Sequence, residues 1–244
     1  MKKVKQREFE NLTDQDAQNG IKMCLDSARA HLEASRILTA AKCIPGGTFM
    51  AYAALEEIGK AHQLITFREN TRSNPTEAAK NFAETFMNHG KKLEAAVNPK
   101  VWMDRYFTLI SKIVQHAKDK SIFGLYKEFM YQINEFNPLD TNSSSESFVK
   151  QRSRMLYTDW IEGRFVAPTS AATEGTARQA YDIADKALAI ATFDCVFAQI
   201  CLRRGATRAQ FAEMIKGSLP EILKEVENTL DKGDFTDDAN THNS

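Results

Sequence analysis

Apolar positions in this chain recur at helical spacing almost throughout. Ile21, Cys24, Leu25, Ala28, Leu32 and Ser35 fall at i, i+3, i+4 and i+7, which predicts a first helix from about Asp14 to Ala41, ended by Pro45-Gly46-Gly47. A second helix is predicted from about Thr48 to Asn70. Its first half, FMAYAALEEIGKA, is small and apolar nearly all round, the pattern of a helix with neighbours on several sides. A third starts after Asn74-Pro75 and carries Ala79, Phe82, Phe86, His89, Leu93 and Val97 as one buried stripe until Asn98-Pro99. A fourth pattern runs from Trp102 to Ile133, with a break near Ser121–Gly124.

A polar stretch from Asn137-Pro138 to Ser147 follows, and Phe148 to Pro168 has no clean period. Aperiodic segments that mix aromatic and charged residues are typically loops laid over a scaffold, where sites are often built. Two more helices are expected. Ala177, Ala180, Ala184, Ala187, Leu188, Ala191, Cys195, Ala198 and Leu202 line one, and a Thr207/Gln210 capping box opens the other, with Gly217–Pro220 kinking it. The fold class predicted is all-α: a helical bundle with a long irregular loop between the fourth helix and the C-terminal helices. A single domain is expected over 1–232, with its core at about 14–203, C-terminal helices at 176–232 and a disordered acidic tail at 233–244.

Composition narrows the function classes. Across 244 residues, Lys+Arg 32 balance Asp+Glu 32, so a protein whose main business is coating nucleic acid is disfavoured, while a local basic patch remains open. Gly 11 and Pro 6 are well below ordinary usage, which favours long helices over a turn-rich β fold. Cys24, Cys43, Cys195 and Cys201 show no CxxC and sit in apolar surroundings, which reads as four buried thiols in a reducing compartment. No apolar run follows the basic N-terminal residues, and the piece from Ala180 to Leu202 is interrupted by Asp182, Asp185, Lys186 and Asp194. A cytoplasmic protein with no signal peptide and no membrane partner is expected.

Three places could carry chemistry. The first is Glu56-Glu57-x-x-Lys60, in which one lysine can meet both carboxylates on a helix that is otherwise apolar. A buried carboxylate needs a partner, so the group reads either as a salt bridge tying helices together or as part of a site. Gly59 beside it lets another element come close. The second is His89, either a core histidine or an acid–base group, with Lys91 and Lys92 next to it. The third is Lys150, Arg152 and Arg154 followed by Leu156, Tyr157 and Asp159, where the arginines either grip phosphate or are tied down by Asp159. No glycine-rich phosphate loop, HExxH, zinc-spaced Cys/His set or GxSxG is present, so no metal and no cofactor is expected.

AYAALEEIGKAHQL at 51–64, NHGKKLEAA at 88–96, and RSRMLYTDW with the following FVAP at 152–168 together resemble the AbiV family of bacterial abortive-infection (anti-phage) proteins. SARAHLEASRIL at 27–38 is similar to the family's first helix, and the resemblance spans about Ile21 to Leu202. It implies membership of the HEPN superfamily, α-helical bundles that usually dimerise and are often metal-independent ribonucleases of defence systems. In these, a histidine acts on the RNA 2′-hydroxyl and an arginine stabilises the phosphorane. Glu56, Glu57 and Lys60 match the family's EExGK, His89 and Lys92 its His-plus-Lys-Leu segment, and Arg154, Leu156, Tyr157 and Asp159 its third motif. The usual superfamily spacing, Arg followed by four to six residues and His, occurs at none of the five histidines. A site would therefore be assembled from separate segments.

On this resemblance the expected function is an abortive-infection effector, an endoribonuclease that shuts down translation. The catalytic group would be His89, Arg152, Arg154, Glu57, Tyr157 and Asp159, with Glu56, Lys60 and Lys92 in support. Its partners would be a second copy in a homodimer, RNA or the translation machinery, and a phage-encoded activator. The competing reading is a non-enzymatic helical dimer that binds a phage protein and blocks a translation component.

Overall fold

The computed structural model describes residues 9, 11–97, 152–153, 155, 159–161, 164–168, 172–208, 210 and 225. Helix α1 spans Asp14–Ala40, α2 Ile44–Thr71, α3 Pro75–Phe86, α4 His89–Val97 and α5 Glu174–Arg203. The chain is an all-α helical bundle. A short antiparallel hairpin, β1 (Asp159–Ile161) and β2 (Arg164–Val166), pairs Trp160 with Phe165 inside the stretch that lacked a period.

Helix α1 starts as a capping box: Thr13 Oγ1 accepts from Asp16 N at 3.0 Å, and Asp16 Oδ2 accepts from Thr13 N at 3.1 Å. Its stripe of Ala17, Ile21, Cys24, Leu25, Ala28, Leu32 and Ser35 is buried, as the periodicity predicts. The turn after it differs from the expectation. Pro45-Gly46-Gly47 does not end α1 but forms the first turn of α2, where a proline needs no N–H and its fixed φ suits the helix. The chain reverses at Ala41–Lys42, with Lys42 at φ 63°. Gly47 lets the two helices cross closely, and Ser35 Oγ donates to its carbonyl at 2.7 Å.

Helix α2 is the axis of the bundle, packed by α1, α3, α4 and α5. Ala51, Tyr52, Ala54, Leu55, Ile58, Ala61, Leu64, Ile65 and Phe67 are all buried, facing several directions. The long alanine-rich helix, α5, closes the other side. It opens on a Thr173/Thr176 capping box and ends at Gly205, whose φ of 78° suits a glycine C-cap. Arg72 Nη2 donates to Leu202 O at 2.7 Å, which satisfies one of the last carbonyls of α5. The expected Thr207/Gln210 box is formed, with Thr207 N donating to Gln210 Oε1 at 2.9 Å and Gln210 N to Thr207 Oγ1 at 3.2 Å.

Two further expectations need correction. The single third helix is two, α3 and α4, because Asn88 caps the second: Asn88 Oδ1 accepts from Lys91 N at 3.2 Å. Among the cysteines, Cys24, Cys195 and Cys201 are buried but Cys43 is exposed, since it lies in the α1–α2 turn rather than on a helix face. The fourth helical pattern, the serine-rich loop, most of the last helix and the tail lie outside the described residues. No helix among the described residues is long and apolar enough to cross a membrane.

A candidate site on the central helix

The break before α4 decides what His89 is. As the first residue of that helix it leaves the Phe82/Phe86/Leu93 stripe, and its side chain is 52% exposed, so it is not a core histidine. Its Nδ1 lies 2.7 Å from Glu56 Oε2. Glu56 projects from the middle of α2 and its side chain is only 8% exposed. Its other oxygen, Oε1, lies 2.8 Å from Arg152 Nε. That contact is an ion pair without an aligned hydrogen bond, because the N–H is not aimed at the oxygen. The Arg152 guanidinium also sits 5.2 Å from the ring centroid of Phe49, one helical stretch earlier on α2.

Lys92 completes the cluster. It is buried, with Nζ 3.8 Å from Glu56 Oε2. Burial draws its ammonium below the usual lysine range, with the nearby Glu56 charge opposing that shift. A divalent cation would meet one carboxylate here and two permanent or nearly permanent positive charges beside it, so the donor set does not suit a metal. Among the described residues no group of His, Cys, Asp and Glu is arranged to hold a metal ion.

Gly59 explains how α4 reaches this position. A Cβ on Gly59 would lie 1.8 Å from Lys92 O and 2.5 Å from Lys92 C, so the two helices touch backbone to backbone there. In the EExGK sequence, therefore, the glycine admits α4, and Glu56 then meets His89 and Lys92 on it.

The two glutamates diverge. Lys60 Nζ donates to Glu57 Oε1 at 2.5 Å and does not bridge both carboxylates. Glu57 and Lys60 line a cavity of about 380 Å³ between α1, α2 and α3, walled by Phe9, Leu64, Phe82 and Phe86. Glu57 is thus a neighbour of the cluster and not the partner of His89. Arg154 and Tyr157 lie outside the described residues, and Asp159 opens β1 opposite Val166. Of the two arginines held open by the sequence, Arg152 lies among the described residues and meets Glu56.

The family model described as AbiV, of HEPN type, matches residues 16–189 of the 244. The chain belongs to the AbiV family. Comparisons with curated proteins and with solved structures found no match. As an AbiV chain it is a HEPN-type protein of the abortive-infection class, and the matched region takes in Glu56, His89, Lys92 and Arg152.

A second polar cluster of this AbiV chain was missed from sequence. Arg208 is 3% exposed and clamps Glu69 through Nε at 2.9 Å and Nη2 at 2.7 Å, while Nη1 donates to Asp194. His62 Nδ1 lies 3.3 Å from the same Asp194 carboxylate. Burial pushes the Asp194 carboxyl up, but the Arg208 charge and the His62 contact override it and hold the group below its ordinary value. His62 is buried because α2 has neighbours on that side too. The signal was an aspartate in an alanine-rich, largely apolar stretch, which demands a buried partner.

Proposed function

We propose that this AbiV-family chain is an abortive-infection effector that cleaves RNA without a metal, with His89 as the acid–base group and Arg152 as the phosphate contact. The observation that carries the reading is that His89 and Arg152, sixty-three positions apart in sequence, meet on the two oxygens of one buried carboxylate. An imidazole, which can both take and give a proton, and a planar guanidinium are what in-line attack by a 2′-hydroxyl needs: one moves the proton, the other neutralises the phosphorane. Charge supports an anionic substrate. Lys92 and Arg152 outweigh Glu56, while Glu57 and Lys60 cancel each other.

The chemistry needs these groups and water. His89 takes the 2′-hydroxyl proton, and the 2′-oxygen forms a bond to the adjacent phosphorus. The bond from phosphorus to the 5′-oxygen breaks as that oxygen takes a proton from water, giving a 2′,3′-cyclic phosphate and a 5′-hydroxyl, while the His89 imidazolium returns its proton to the solvent. Arg154, Tyr157 and Asp159 belong to the same proposal through the family's third motif, as do a homodimer and a phage-encoded trigger. The test is RNA cleavage by purified protein in EDTA. His89→Ala and Arg152→Ala are expected to abolish cleavage, with the His89 variant melting within a few degrees of wild type. A wild-type protein that leaves every RNA intact, alone and with infected-cell extract, contradicts the reading and favours a binding protein.

A further inference from the structure

We infer that Glu56 is a positioning residue which fixes His89 in the Nδ1–H tautomer, so that Nε2 is the nitrogen offered to a substrate. The inference rests on the reading of His89 as the acid–base group, and its geometry stands apart from any activity. A carboxylate only accepts, so a neutral imidazole 2.7 Å away must place its proton on Nδ1. Free histidine prefers the other tautomer, so a contact of this kind changes which nitrogen carries the lone pair. The ring is half exposed, whereas Glu56 is buried, so the carboxylate holds the inner edge of the imidazole and the outer edge, with Nε2, faces away from it.

The surroundings keep Glu56 suited to that task. Arg152 Nε lies 2.8 Å from one carboxylate oxygen and Lys92 Nζ 3.8 Å from the other, so two cations flank the group that meets His89. The carboxylate is flanked at both oxygens, with the Arg152 charge beside Oε1 while His89 and Lys92 face Oε2. The close backbone contact between Gly59 and Lys92 fixes the distance between the two helices that carry the pair. The arrangement has the logic of a carboxylate that orients a catalytic imidazole without itself exchanging a proton.

The experiment has two readouts on the full chain. Long-range proton–nitrogen spectra of ¹⁵N-histidine-labelled protein report the tautomer of each neutral ring, with His89 assigned by its absence in His89→Ala. Wild type is expected to show His89 as Nδ1–H, and Glu56→Met, which keeps the side-chain length, to return it to the Nε2–H form. A wild-type His89 found as Nε2–H overturns the inference with no variant needed. The second readout is kinetic. Glu56→Gln is expected to lower kcat on the order of 10–100-fold with KM within about threefold, and Glu56→Asp to recover part of the loss. A Glu56→Gln variant that folds and retains full kcat also overturns it. If wild type cleaves no RNA yet His89 is Nδ1–H, the positioning geometry is supported and only the ribonuclease reading falls.

Discussion

Replacing Gly59 with alanine tests the packing that builds the site, and the two opposing effects have different signs. On helix propensity alone, alanine in mid-helix stabilises by about 1 kcal/mol over glycine. The structure predicts the reverse. The new Cβ would sit 1.8 Å from Lys92 O, and ordinary contact begins near 3.4 Å, so α4 must retreat by about 1.6 Å. The obstacle is backbone, which no rotamer change can clear. Overpacking of this kind costs about 1–3 kcal/mol. The retreat also draws Lys92 and His89 from Glu56, and breaking a buried charge pair costs up to about 3–5 kcal/mol, less here because Arg152 remains. Taken with the propensity gain, Gly59→Ala is expected to destabilise by about 2–4 kcal/mol and to lower Tm by roughly 5–15 °C. Urea unfolding followed by circular dichroism at 222 nm reads the change. A neutral or more stable variant would falsify the close-approach argument and, with it, the account of why a glycine stands in EExGK.

Three further outcomes follow from the buried groups. Arg208→Met leaves Glu69 and Asp194 buried without their cation, and is expected to destabilise by about 3–5 kcal/mol in urea unfolding; a loss under 1 kcal/mol contradicts the clamp. Asp194 is held below its ordinary value of 3.8, so the unfolded chain takes up that proton first on acidification; its stabilising contribution is full above about pH 4 and fades as pH falls through the folded value. The stability gap between wild type and Asp194→Asn should therefore shrink on titration below pH 4, and a constant gap would tell against it. Among the thiols, Cys43 alone is exposed, whereas burial, with the Glu57 charge adding to it, pushes Cys24 up to about 12. One fast-reacting thiol per native chain is expected with a disulfide reagent, removed by Cys43→Ser; two or more would show a more open fold.

Helix content and core were legible because burial imposes the 3.6-residue period directly on the chain: the stripes of α1 and α5 sit where spacing put them. Boundaries were less so. Pro45-Gly46-Gly47 carries the residues of a terminator, and only the tight crossing of Gly47 with Ser35 and Thr39 shows why a glycine stands inside the helix there. The site was partly legible. An EExGK motif on an apolar helix demanded a partner, but helical spacing alone could not tell which glutamate turns inward, since Glu56 and Glu57 differ by only about 100° around the axis. His89 was misplaced for a local reason, the cap at Asn88, which looks like any polar residue within an amphipathic run. The Glu69–Arg208–Asp194–His62 cluster links residues from 62 to 208, and no local pattern relates positions so far apart.

The measurement that bears most directly on the central claim is the chemical identity of the cut RNA end. Acid–base chemistry by His89 on a 2′-hydroxyl predicts a 2′,3′-cyclic phosphate and a 5′-hydroxyl, formed in EDTA and lost in His89→Ala. It also predicts no cleavage of the same RNA carrying 2′-O-methyl groups. A 5′-phosphate end, or a 2′-O-methyl RNA cut as fast as the unmodified one, would contradict the account.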